Sequence, residues 1–287
     1  MENGICFAGG GVKGAAHIGV VKALEEENMD FKYVGGTSSG SIVACLYACG
    51  FTSDEMIDIF QKYCKKIKYV DFLNVLKLII GLVFTRTIII DGLNSGKQIE
   101  KLINKFCSKK QIGNISDIKK KLIIPSVNLC NGEVICFTSF MYNKRSTYSD
   151  NIIYKNNINI GKVVRASCSY PVVFSPCKFN NVKLVDGGIR ENVPWKELKK
   201  IGANKVLNVT FETENNEDCD KNLIEVAGSS IGMLCQELSN YEMEGADDII
   251  KIRTKKTGLL DMSKIKELYL LGYNEAKRNM DIIKRYR

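Results

Sequence analysis

The sequence predicts an α/β protein with a mostly parallel central sheet and helices on both faces, a three-layer α/β/α architecture. Three observations predict it. Short apolar runs such as "GICFA" (4–8) and "YVGG" (33–36) end in glycines, as buried strands do. Each is followed by a segment with helical apolar spacing, and this alternation continues along the chain. With only four prolines and no Pro/Gly/Ser-rich linker, the 287 residues are expected to form one domain, 1–287.

In order, residues 14–28 read as a helix with an apolar stripe of Val20, Val21 and Leu24 and acids opposite. After the second strand, "GSIVACLYACG" (40–50) is a helix closed by Gly50. Ser53 caps a third helix over 54–66. "SGKQIEKLINKFCS" (95–108) is again helical. "KLIIPSVNL" and "EVICFTSF", joined by "CNGE" (130–133), pair as a hairpin. The segment 161–176 is a helix that stops before Pro171. There follow a strand at 181–188, a short helix at 193–202 and a buried strand at 204–211. A long helix (223–244), a last strand (247–254) and an amphipathic helix (263–286) finish the chain.

Composition narrows the function. Hydrophobic residues are 45% and charged residues 25%, ordinary globular values. The net charge of +9 favours anionic partners, nucleic acid or an anionic membrane surface. Without Arg-rich or aromatic-interleaved tracts, nucleic acid is disfavoured. The 11 cysteines include no C-x-x-C pair and read as core residues in a reducing compartment. Cys45 and Cys49 share a helix face, but a zinc site needs a tighter ligand cluster. No signal peptide is visible at the N-terminus, and the apolar "VLKLIIGLVF" (75–84) is too short to span a bilayer. A cytoplasmic location is the expectation.

"GGGVKG", Gly9 to Gly14, satisfies G-x-G-x-x-G between a strand and a helix. Dinucleotide binding would also need an acid ending the second strand. Asp30 precedes that strand instead, and no Lys-Ser/Thr pair makes a Walker loop. The glycines serve equally well to aim backbone amides at a phosphate or at an oxyanion, with Lys13 adding positive charge. At the next strand–helix turn, Gly36-Thr37-Ser38-Ser39-Gly40 is a G-x-S-x-G pattern, which presents a nucleophilic serine on a tight turn. In a parallel sheet both turns lie at the carboxyl edge, where ligands bind.

Such a serine normally relies on a histidine further along the chain. The one histidine, His17, lies upstream and shares the helix stripe of Val20, Val21 and Leu24, so it reads as a core residue. The base is then a carboxylate or a lysine. Asp186 ends an apolar strand and meets Gly187 and Gly188; Asp91-Gly92 is a rival with one glycine only.

The three elements "GGGVKGAAHIGV", "GGTSSGSI" and "LVDGGIRENVP" occur in an order and spacing that resembles the patatin-like phospholipase family. "RASCSYPVVFSP" resembles the segment before that family's Asp-Gly-Gly/Ala motif. The resemblance covers about residues 4–194, with the C-terminal portion completing the fold. It implies a Ser–Asp dyad: Ser38 as nucleophile and Asp186 as proton acceptor. It also implies an oxyanion hole of Gly9, Gly10, Gly11 and Ser39, with Gly14, Gly36 and Gly40 shaping the turns. The implied activity is hydrolysis of phospholipid or related lipid esters, with no cofactor and no metal. Ala8 departs from many members, and the apolar insertion at 70–90 leaves chain preference open. An aspartate at about 3.9 is a weak base for serine; burial would raise it, and the helix starting after Ser38 would favour developing negative charge.

The run "VDFLNVLKLIIGLVF" beside "KYCKKIKY" has two readings. It is a buried helix with a solvated end, or a flap that sets lysines (Lys65, Lys66, Lys68) on headgroups and apolar side chains among acyl chains. Two other functions remain open: a non-catalytic regulatory protein on the same fold, and a nucleotide binder using the Gly9–Gly14 loop.

Overall fold

A computed structural model describes residues 2–66, 71–80, 83–84, 86–87, 90–142, 151–213, 223–255, 257 and 261–287. The strands are β1 (Gly4–Phe7), β2 (Tyr33–Gly36), β3 (Lys121–Asn128), β4 (Val134–Thr138), β5 (Ile152–Lys155), β6 (Cys177–Phe179), β7 (Val182–Asp186), β8 (Val206–Thr213) and β9 (Asp248–Thr254). They form one sheet in the order β5-β4-β3-β2-β1-β8-β9, with β7 on β3 and β6 on β7. The centre, β3-β2-β1-β8-β9, is parallel throughout. β3 pairs antiparallel with both β4 and β7. The expected mostly parallel three-layer fold is therefore present, with the expected β3–β4 hairpin at one side.

The central strands are apolar on both faces because helices cover both. β1 and β2 are buried at every residue. Helices α1 (Gly14–Glu26) and α2 (Ser39–Ala48) follow them directly. α3 (Ser53–Lys66) and α4 (Phe72–Ile80) come next, then α5 (Lys97–Cys107), α6 (Ile160–Ser167), α7 (Trp195–Lys200) and α8 (Leu223–Glu242). The chain ends in α9 (Ile265–Arg278) and α10 (Met280–Ile283). α9 lies against α1 at backbone contact: a Cβ on Gly272 would overlap the Ala16 carbonyl, and one on Gly19 the Tyr269 carbonyl. The C-terminal segment thus packs on the first helix of the motif-bearing core.

Three local expectations change. β5 and β6 were not legible, since four and three residues are too few to show an alternation. The terminal helix divides at Asn279 (φ −100°, ψ 23°), whose side-chain amide donates to the Glu275 carbonyl at 2.9 Å. Such a side chain competes with the helical ladder. The apolar run after residue 70 is not a buried helix at the described side chains of α4: Phe72, Leu76 and Ile80 are exposed, as are Val83 and Phe84 beyond it. Residues 67–70 and part of 81–89 lie outside the described residues, Lys68 among them, and the side chains of Lys65 and Lys66 do as well.

Candidate active site

The sheet topology brings Ser38 and Asp186 together across 148 residues of sequence. β2 lies along β3 only as far as Gly35, opposite Ile123. β7 takes the same edge of β3 further on, running the other way, with Asp186 opposite Ser126. The carboxyl ends of β2 and β7 therefore meet head to head beside β3. The junction is tight: a Cβ on Gly187 would press on the Pro125 carbonyl and lie 2.9 Å from the Thr37 methyl. Thr37 Oγ1 ties the junction by donating to the Glu191 carbonyl at 2.9 Å.

Ser38 stands between β2 and α2 with φ 52° and ψ −124°, a conformation that costs a non-glycine residue about 1–3 kcal/mol. Its neighbours hold it there. Its amide donates to Ser167 Oγ at 3.0 Å. Its carbonyl accepts from the Ser41 hydroxyl at 2.6 Å, the Ser41 amide at 2.9 Å and the Cys168 thiol at 3.1 Å. Gly36 and Gly40 make the turn possible, because a Cβ on Gly40 would overlap the Phe7 carbonyl and one on Gly36 the Gly40 carbonyl. Both glycines of the pattern are thus required by close approach of backbone to backbone. Ser167 and Cys168 belong to "RASCSYP", so the end of α6 grips the turn from outside the motif itself.

Asp186 is buried, 2% exposed. Its Oδ1 accepts from the Gly188 amide at 2.9 Å, while Oδ2 has no hydrogen-bond partner. Burial pushes the carboxyl up to about 7, against the Ser38 hydroxyl and the Gly188 amide, which favour the charged form. The Ser38 hydroxyl is thus near enough to favour the carboxylate, while Oδ2 has no hydrogen-bond partner; catalytic hydrogen bonds often tighten only when substrate binds. A carboxylate that exchanges its proton near pH 7 is suited to general-base work.

The glycine loop faces the same place. A 3-10 turn, Gly11–Lys13, leads into α1. The amides of Gly10 and Gly11 donate to no acceptor among the described residues, nor does that of Ser39 in the first turn of α2. Gly9 differs from expectation: its amide is taken by Asn192 Oδ1 at 3.1 Å, so it is a support of the loop and the unclaimed donors are Gly10, Gly11 and Ser39. Asn192 was not singled out in the sequence. Its Nδ2 donates to Ser239 Oγ at 2.7 Å, and its own amide donates to Glu242 Oε1 at 2.8 Å. Glu242 also takes the Val193 amide at 2.9 Å. α8 thereby clamps the 190–195 loop, and that loop holds Gly9. Burial raises Glu242 to about 7 despite its two amide donors.

Other sequence candidates fall elsewhere. His17 is fully buried, as expected of a core residue. Its ring lies 5.2 Å from Phe7 and 4.5 Å from Phe211, and Nε2 donates to the Ala8 carbonyl at 2.8 Å. Burial lowers it to about 4, so it is neutral. Lys13 lies over the Phe211 ring at 5.8 Å, and burial lowers its amine to about 8. Gly14 packs on Ser39, 2.9 Å from its Cβ if a side chain were added. Asp91 is exposed and pairs with Lys183 at 3.5 Å. Asp30 pairs with Lys120 at the amino end of β2, opposite the Gly9–Gly14 loop, so no acid there reaches a ribose. Among the described residues no helix is long and apolar enough to cross a membrane.

This combination, a parallel α/β sheet with a glycine loop, a serine elbow and an Asp-Gly-Gly turn converging at its carboxyl edge, defines a class of α/β proteins. The chain belongs to the patatin-like phospholipase family, which matches over residues 5–199. It is similar to the uncharacterized protein YqhO of Bacillus subtilis, 32% identical over 226 residues that cover 76% of this chain and 74% of that one. It also resembles the lysophospholipase NTE1 of Candida albicans, 28% identical over 206 residues, 72% of this chain but 13% of that protein. The fold resembles VipD from Legionella pneumophila (TM-score 0.53, 16% identity, 98% of this chain and 67% of that one). ExoU of Pseudomonas aeruginosa, in its complex with SpcU, is similarly alike (TM-score 0.51, 14% identity, 99% of this chain and 52% of that one).

Proposed function

We propose that the chain is a serine lipid acyl hydrolase that cleaves carboxylic ester bonds of phospholipids or lysophospholipids through Ser38 and Asp186. The observation that carries this reading is a buried carboxylate, poised near pH 7 with Oδ2 unclaimed, beside a serine held in a strained strand–helix turn. Ser38 Oγ attacks the acyl carbonyl carbon while its proton passes to Asp186 Oδ2. Oδ1 stays fixed on the Gly188 amide, which keeps Oδ2 aimed at the serine. The tetrahedral oxyanion meets the amides of Gly10, Gly11 and Ser39, each worth roughly 3 kcal/mol of barrier. The start of α2 adds its positive pole. Asp186 then returns the proton to the departing alcohol, leaving an acyl-serine. Water, deprotonated by Asp186 in turn, releases the fatty acid.

Lipid substrate also explains the exposed apolar side chains. Phe72, Leu76 and Ile80 recur every fourth residue on α4, with Val83 and Phe84 beyond. α8, which clamps the site loop, exposes Val226, Met233, Leu234 and Tyr241. Together with a net charge of +9 for the whole chain, these exposed apolar side chains suit peripheral contact with an anionic membrane. The test is fatty-acid release from phospholipid vesicles and from soluble esters. Both activities should vanish in Ser38→Ala and Asp186→Asn, whereas Phe72→Asp with Phe84→Asp should slow only the vesicle reaction. Activity surviving in both site variants ends the proposal. Folded protein inert toward every ester favours the non-catalytic reading.

A further inference from the structure

The cysteines were expected to be ordinary core residues, with Cys45 and Cys49 one turn apart and no third ligand. The structure supplies the third. Cys107, the last residue of α5, places its Sγ 3.9 Å from Cys45 Sγ and 3.8 Å from Cys49 Sγ. All three sulfurs lie within 4.8 Å of one another. Cys45 and Cys107 are fully buried, and Cys49 reaches the surface at 7% exposure.

We propose that Cys45, Cys49 and Cys107 form a three-thiolate site for one thiophilic divalent cation of the zinc class. Two independent features point to a cation. The first is spacing. Sulfurs bonded at about 2.3 Å around a tetrahedral zinc stand about 3.8 Å apart, and two sulfur pairs already have that separation. The second is the field. Cys49 is the C-terminal cap of α2 and Cys107 closes α5, so the negative poles of two helices converge on the cluster. That field disfavours thiolates alone and favours a positive ion among them. Lys110, three residues after Cys107, is engaged by Glu55 at 4.0 Å and by the Phe51 ring at 5.0 Å.

The ligand set excludes hard cations. It contains sulfur alone, which selects zinc and its soft relatives over magnesium or calcium. Three protein ligands leave the fourth tetrahedral position for water or an added ligand. Cys49, the ligand nearest the surface, is followed by the exposed Gly50, and Cys107 by the exposed Ser108. Binding replaces each S–H bond by a sulfur–metal bond: three thiols and a dication give a tris-thiolate complex of charge −1 and three protons. The site also belongs to the element that carries Ser38: the serine caps one end of α2 and the thiols hold the other to α5.

The experiment is anaerobic titration of the reduced, metal-free full chain with Cd(II). Thiolate-to-metal charge-transfer absorption and proton release are followed, with Zn(II) as competitor. The expected result is saturation at one equivalent, displacement by Zn(II) and a rise in Tm with either ion. Cys49→Ser and Cys107→Ser should weaken binding beyond the roughly 10–100-fold that loss of an outer-sphere partner costs. Cys130→Ser, at an exposed position, should leave it unchanged. If Cys107→Ser does not fold, wild-type stoichiometry and Cys49→Ser still decide. Absence of a saturable band in the wild type overturns the proposal, as does a band that survives Cys49→Ser or is lost in Cys130→Ser.

Discussion

Asp186→Asn should remove activity and at the same time stabilise the fold, increasingly so as the pH rises. The carboxyl goes from 3.8, its ordinary value, to about 7 in the folded protein because burial disfavours its charge. A raised carboxyl pKa means that the folded state holds its proton where the unfolded chain has lost it. Folding stability therefore falls between pH 3.8 and 7 and stays reduced above. Each tenfold change in acidity is worth about 1.4 kcal/mol, so the full penalty is about 4 kcal/mol above pH 8. At pH 5 only about 2 kcal/mol of it has developed, so the difference between pH 5 and pH 8 is about 2–3 kcal/mol. Asparagine can keep the acceptor for the Gly188 amide and never ionises. The stability of Asp186→Asn relative to wild type should thus grow by about 2–3 kcal/mol from pH 5 to pH 8, roughly 3–5 °C in Tm for a chain of 287 residues. Urea unfolding at the two pH values measures it, and any constant effect of the amide cancels. A difference that does not change with pH would refute the claim that this carboxylate is kept at the site against its own desolvation.

Three further outcomes follow from the same geometry. kcat/KM for a soluble ester should rise with pH and level off above about 7, since the base must be unprotonated; a profile flat from pH 5 to 9 contradicts the assignment. Ser38→Gly should be more stable than Ser38→Ala by about 1–3 kcal/mol, because glycine alone adopts φ 52° and ψ −124° without strain; equal unfolding midpoints would remove the strain argument. Asn192→Ala leaves the Gly9 amide without its acceptor and removes the hydrogen bond to Ser239 that ties the loop to α8. It should cost about 1–3 kcal/mol of stability and lower kcat more than it raises KM, as steady-state kinetics would show.

Apart from β5 and β6, the order of strands and helices was legible because most elements carry a clear period, and β1, β2, α2, β7 and α7 run into glycine. Ser38 was legible because a G-x-S-x-G turn needs small residues where α2 crosses the end of β1. The absence of a histidine after it directed attention to Asp186. Their juxtaposition was not legible from spacing, since it depends on β7 running antiparallel to β3 and meeting β2 end to end. The supports were hidden for a related reason. Asn192, Ser239, Glu242, Ser167 and Cys168 act through long-range hydrogen bonds, which leave no periodic trace. Gly9 looked like an oxyanion donor, yet Asn192 claims its amide. Cys107 gave no signal either: it lies 58 residues from Cys49, and only the fold brings the ends of α2 and α5 together at their sulfurs.

The central claim is that Ser38 is a nucleophile served by Asp186. Labelling with a fluorophosphonate serine probe, read by intact mass and peptide mapping, tests it most directly. One adduct is expected on Ser38 in the wild type, none in Ser38→Ala, and much slower labelling of folded Asp186→Asn. Labelling of Ser38→Ala to the same extent, or of Asp186→Asn at the wild-type rate, would contradict it.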